Sequence, residues 1–299
     1  MGQIIGFLLM LALITGGVIS TGATPVLAAL PFELGLIGGT ALAALLIGNA
    51  PSIAGDALRG LGLAVTGSRW KRADFTALLG ALHGTLTLVR RGGAPAIDAV
   101  FEAPEGSEML RRATRLLEDR DAMNLLEESA RHLAAGSLDR PMQAHQLADQ
   151  MQRTVAAAHH RRMQAVGALQ SMADALPALG IVAAVLGIIK TMTAIDESEA
   201  VIGAMIATAL LGTFLGVFLA YGLVGPLANR FAQVVDEELL ALDVIEAVIS
   251  AAAGGSAPRL AIEAGRNALP LALRPDDAAI DAALSAVGGP LRVVHRGAA

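Results

Sequence analysis

Residues 1 to 32 and residues 200 to 229 contain no charged side chain. Each run exceeds the roughly 20 apolar residues that cross hydrocarbon as a helix, so both are expected to be membrane spans. Two shorter apolar stretches lie between charges. Leu34 to Ala50 is enclosed by Glu33 and Asp56, and Ala175 to Ile189 is enclosed by Asp174 and Lys190. The four stretches predict spans at about 3–22, 34–50, 175–194 and 200–222. Between them the pattern changes to that of a half-buried helix. Phe75, Leu78, Leu79, Leu82, Leu86 and Leu88 with Val89 recur on one helical face, and the segment ends at Gly92 and Gly93. Further helices are expected over 95–102, 106–118 and 121–135.

From Pro141 no strong breaker occurs until Pro177, which predicts one long helix rising from the cytosol into the third span. The fourth span continues past Pro226 through an amphipathic stretch to Ser250 and stops at Gly254 and Gly255, residues suited to a C-terminal cap. Short helices are expected over Pro258–Leu269 and Pro275–Val287, with the last ten residues loose. The predicted fold is therefore an all-α membrane protein with four transmembrane helices and a large helical cytoplasmic domain, spans three and four extending into the cytosol. Its expected parts are a first transmembrane pair (1–50), a cytoplasmic insert (51–173), a second transmembrane pair (174–228) and a cytoplasmic tail (229–299).

Composition agrees, with 54% hydrophobic and only 16% charged residues, which sets the chain apart from ordinary soluble domains. The charge distribution adds orientation. Of the 22 Lys and Arg, fifteen lie in residues 51–173 and six after residue 229, leaving only Lys190. The positive-inside rule places both basic segments in the cytosol. The connections at about 22–33 and 194–199 hold no Lys or Arg, so they face outward and both termini face inward. The first basic residue is Arg59, which makes the opening apolar run a span rather than a signal peptide. Glycines 16, 17, 35, 38, 39 and 48 are expected to let the first two spans pack closely.

Candidate chemistry is sparse. There is no cysteine and no phosphate-binding loop, catalytic serine motif, zinc-protease motif or calcium loop, so neither enzyme, cofactor nor metal is expected. His159 and His160 are adjacent on a helix, point about 100° apart and read as a solvated face rather than a metal pair. Residues 51–173 interleave fifteen basic with thirteen acidic side chains, which argues against nucleic acid.

The stretches from Asp174 through Pro177 to Gly187 and from Leu211 through Pro226 to Ala228 resemble the third and fourth spans of the MotA family, the ring subunits of the bacterial flagellar stator. The likeness extends to the turn after span one, Gly48-Asn49, Ala257-Pro258, Glu263, Gly265-Arg266 and Arg274-Pro275. It implies a subunit in the bacterial inner membrane, in a pentameric ring around a MotB-type single-span, peptidoglycan-binding partner. In that assembly ion flow drives rotation and torque on the rotor protein FliG.

By the resemblance Pro177 and Pro226 couple ion passage to movement, although either proline could simply be tolerated at a helix entrance. Thr213 could contact a passing ion, or instead bond the carbonyl one turn back. Sodium-driven relatives place a hydroxyl where Ala184 stands, so alanine there favours protons. Neither span three nor span four carries a carboxylate in its hydrocarbon part, and the resemblance assigns the titratable relay to the partner's aspartate. Arg90 and Asp98 match the charges that engage FliG, with Arg91 a competitor for the positive position and the family's glutamate shortened to Asp98. Two alternatives remain: a TolQ or ExbB type energiser of an envelope process, and a self-contained secondary transporter.

Overall fold

The computed structural model describes residues 2–20, 28–136 and 141–287. The turn expected after span one and the last ten residues lie outside them. Every regular element among the described residues is helical. The chain forms two compact units, one of residues 1–67 and 162–234, the other of residues 68–161 and 235–299.

The first unit holds α1 (Gly2–Ser20), α2 (Leu30–Gly48), α3 (Pro51–Thr66), the second part of α8 (Pro141–Met192), α9 (Glu199–Phe218), a π-helical segment (Leu219–Val224) and the start of α10 (Gly225–Ala253). Leu30–Gly48, Met142–Met192 and Glu199–Ala253 are each long and apolar enough to cross a membrane, and α1 adds a shorter apolar helix. Ile37 and Ala41 of α2 form one core with Ala173, Leu176 and Ala183 of α8, Leu211 and Leu215 of α9, and Ala220 and Val224 of the π segment. Outside this core the spans bear exposed Ile181, Val182, Val185, Ile188, Leu210, Phe214 and Val217, as a lipid or a neighbouring helix requires.

Glycine brings α8 and α9 together. A Cβ built on Gly180 would lie 2.8 Å from the Gly212 carbonyl oxygen, and one on Gly187 would lie 2.7 Å from the Ala209 Cβ. The glycines of the first pair do not behave this way. Gly16, Gly17, Gly35, Gly38, Gly39 and Gly48 have no atom within 4 Å of an added Cβ. Among the described residues, none crowds these positions.

In the second unit α4 (Arg72–Glu102) is the central helix, packed by α7 (Arg120–Ala134), α11 (Pro258–Asn267) and α12 (Asp277–Val287). Phe75, Leu78, Leu79 and Leu82 are fully buried, as the periodicity predicts. Gly80, Ala81 and Gly84 are buried too, so the helix is covered on more than its apolar stripe. These small residues admit the neighbours: a Cβ on Gly80 would meet Ala283 of α12 at 3.5 Å. Gly93, with φ +60°, breaks α4, so the segment expected over 95–102 is its continuation across a kink. The helix expected over 106–118 is instead a 3₁₀ turn (Pro104–Gly106) followed by α5 (Glu108–Arg112) and α6 (Thr114–Glu118). α10 ends as predicted. The Ser256 N–H reaches the Ala251 carbonyl at 3.1 Å and the Gly255 N–H reaches Ala252 at 3.0 Å, with Gly255 at φ +88°, the pairing of a Schellman cap.

Candidate ion pathway

Pro177 lies within the continuous helix α8, where its ring nitrogen donates no hydrogen bond. Its neighbour Leu176 packs on α9: a Cβ on Gly216 would fall 2.7 Å from the Leu176 carbonyl oxygen. Pro226 is the second residue of α10, and the π-helical segment ends two residues before it. There the Gly225 N–H bonds the Ala220 carbonyl, five residues back. The missing Pro226 N–H and the bulk of its ring account for the widened turn. Leu176 and Val224, which flank the two prolines, belong to one core cluster.

Ala184 is 7% exposed and faces α9, its backbone nitrogen 3.2 Å from where a Gly212 Cβ would stand. Thr213 follows Gly212 and is half-buried. Thr40, Thr191 and Thr208 donate to the carbonyl four residues earlier, at 2.6, 2.9 and 3.0 Å, whereas Thr213 makes no such bond among the described residues. Its hydroxyl is thus not committed to its own helix.

The structure adds a residue that the sequence pattern marked only as the edge of an apolar run. Glu33 sits one turn inside α2 and is 5% exposed, the one acidic residue buried among the described residues. Its Oε2 has no hydrogen-bond partner among the described residues and lies 3.4 Å from the position a Gly212 Cβ would take. The α2 carboxylate therefore reaches the crossing of α8 and α9 beside Ala184. The available signal was position: Glu33 follows Pro31 too closely to lie outside a helix that begins there.

The two residues expected to meet the rotor are not brought together with each other. The Arg90 guanidinium donates to the Ser256 carbonyl at 2.7 Å. Asp98 accepts from Arg131 at 3.0 Å, and Arg131 also bridges Glu127 at 2.9 Å. His159 is half-exposed with Nε2 3.4 Å from Asp236, and Arg161 pairs with Asp121 at 2.8 Å, consistent with a solvated face. Among the described residues no cluster of His, Asp or Glu could hold a metal ion.

Apolar helices joined through glycine, enclosing one unpaired carboxylate, define a multi-pass membrane protein whose spans surround an ionisable group. Residues 119–244 match the MotA/TolQ/ExbB proton channel family, and residues 4–93 match the motility protein A N-terminal family. The chain belongs to the MotA family. It is 32% identical to chemotaxis protein LafT of Vibrio parahaemolyticus over 92% of this chain and 95% of that protein. It is 28% identical to motility protein A of Salmonella typhimurium over 96% of each. The fold is similar to the structure of C. jejuni MotAB, with a TM-score of 0.68, 21% identity, and coverage of 93% of this chain and 98% of that one.

Proposed function

We propose that this chain is a non-enzymatic subunit of a flagellar motor stator, in which ion flow through the membrane unit drives torque on a rotor. The observation that carries the reading is the glycine-mediated crossing of α8 and α9, bounded by Pro177 and Pro226, in a chain similar over 92% of its length to LafT. The subunit lies in the bacterial inner membrane with four spans and cytoplasmic termini, in a pentameric ring around a MotB-type partner. The MotAB complexes of C. jejuni and B. subtilis, similar in fold, support such a partner. Pro177, Ala184, Thr213 and Pro226 form one wall of the pathway. Arg90 and Asp98 meet FliG on the cytoplasmic unit.

The carried ion is a proton. Ala184 and Gly212 offer no side-chain oxygen and Glu33 brings a single carboxylate to the crossing, whereas a dehydrated sodium ion needs several oxygens. The test is complementation of a flagellated, non-motile strain lacking this chain. The intact chain is expected to restore swimming, Pro177→Leu and Arg90→Glu to leave paralysis at normal protein level, and removal of sodium at fixed proton motive force to leave motor speed unchanged. Swimming by both variants, or arrest without sodium, sinks the corresponding assignment.

A further inference from the structure

The partner's carboxylate accounts for one protonatable group on the route, yet this chain buries another. Glu33 lines a pocket of about 670 Å³ between α2, α8 and α9, together with Phe32 and Leu36 of α2, Ala183 and Lys190 of α8, and Thr208 of α9. An acid in the first turn of a helix ordinarily serves the helix dipole from an exposed position. Glu33 does otherwise. It is buried, and its Oε2 is directed away from its own helix to Gly212 of α9, without a hydrogen-bond partner. An unpaired carboxylate in a span is costly and ordinarily marks an ion route.

We propose that Glu33 is a proton-collecting site on the outer side of the pathway, loaded from the pocket and emptied toward the α8–α9 crossing. The assignment rests on the stator reading above. The pocket chemistry selects the ion. Apart from Glu33, its polar groups are the Thr208 hydroxyl, which already donates to Ala204 at 3.0 Å, and the exposed Lys190 ammonium. That set provides too few oxygens for a dehydrated metal cation, whereas a single carboxylate suffices for a proton. The Glu33 carboxylate takes a proton from hydronium, leaving water. It then gives that proton to the next acceptor inward and becomes a carboxylate again. Among the described residues Lys190 is the one other ionisable group lining the pocket, and its positive charge keeps the pocket from holding cations so strongly that release would fail.

The test uses the full chain with its single-span partner, in cells lacking both, with swimming speed and proton uptake followed from about pH 5.5 to pH 8. Glu33→Gln is expected at normal level in the membrane with a loss of about tenfold near pH 8, the scale of one positioned proton donor or acceptor. The loss should shrink to about twofold near pH 5.5, where free protons replace the collector. Glu33→Asp should retain most of the activity and the pH profile of the parent. The proposal is overturned by normal flux in Glu33→Gln at pH 8, or by an equal loss at every pH, which a packing role would produce. It is also overturned if Glu33→Asp is as damaged as Glu33→Ala. Failure of the unaltered chain to restore swimming would instead count against the stator reading itself.

Discussion

Gly216 of α9 stands so close to Gly180 of α8 that a Cβ on Gly216 would lie 2.7 Å from the Gly180 Cα. No side chain fits at that distance, so the two backbones, not side chains, form the contact beneath the proposed pathway. Apolar side chains gain little by leaving lipid for one another, and close backbone approach is what remains to hold spans together.

Gly180→Val and Gly216→Val are therefore expected to separate α8 from α9, each costing about 1–3 kcal/mol by overpacking. Gly203→Ala is the matched control on α9, since nothing lies within 4 Å of its added Cβ. Thermal unfolding of the purified complex in detergent should fall by several degrees for the first two and stay unchanged for the third. An unaltered melting temperature in Gly216→Val would disprove the contact.

The long helix α8 was legible because nothing between Pro141 and Pro177 breaks it, and the helix continues through that proline. α3 was not legible. Its buried face is Ala54, Ala57, Gly60 and Ala64, small residues that a search for large apolar side chains at helical spacing passes over. What holds it is remote: an added Cβ on Gly60 would collide with the Phe231 ring of α10. The same limit hid the site. Glu33 looked like a boundary charge because its place against Gly212 depends on a contact between helices far apart in sequence. The break at Ala113, with φ −94° and ψ +56°, has no local breaker to announce it.

The π segment before Pro226 yields a second prediction. Pro226→Ala restores an N–H that can bond the Gly222 carbonyl and removes the ring clash, so Leu219–Val224 should tighten toward α-helix. The expected outcome is a complex at least as heat-stable as the parent but with swimming largely lost, because the coupling role proposed for Pro226 runs through the widened turn. Gly225→Ala should act oppositely on stability, since its Cβ would lie 2.8 Å from the Ala220 carbonyl oxygen. Motility in Pro226→Ala equal to the parent would remove the π turn from the mechanism.

The kink at Gly93 lies between Arg90 and Asp98 and gives a third. A residue with a Cβ is strained at φ +60° and ψ −155° even though nothing crowds it, so Gly93→Ala should cost about 1–3 kcal/mol and disturb the disposition of the two charges. The Asp98–Arg131 pair is half-exposed on both sides, so Arg131→Ala should cost no more than about 1 kcal/mol. The charge swap Asp98→Arg with Arg131→Asp separates the two uses of Asp98. It should restore the internal pair, at a small cost in stability because the new aspartate faces Glu127 one turn back, while leaving motility impaired. Full motility in the swap would make the internal pair the whole role of Asp98.

The part of α10 that belongs to the second unit carries a dependence on pH. Burial raises the pKa of Asp243, an effect opposed by the His159 charge and reinforced by Asp236. Burial and the Asp243 charge raise that of Glu246. A raised carboxyl pKa means that the fold prefers the protonated form. Its stabilising contribution is full below the ordinary carboxylate value of about 4 and is lost as pH rises through the raised value. At neutral pH the charged Asp243 is thus a cost, reduced by the solvent that reaches it. Asp243→Asn removes that cost and should raise the melting temperature of the purified complex by about 2 °C at pH 7, with the gain fading toward pH 4. His159→Ala removes the group that opposes the shift and should enlarge the cost of the charged Asp243, lowering the melting temperature. Melting curves of the three proteins between about pH 4 and pH 8 decide the matter, and a gain for Asp243→Asn that is greater at pH 4 than at pH 7 would refute the assigned sign.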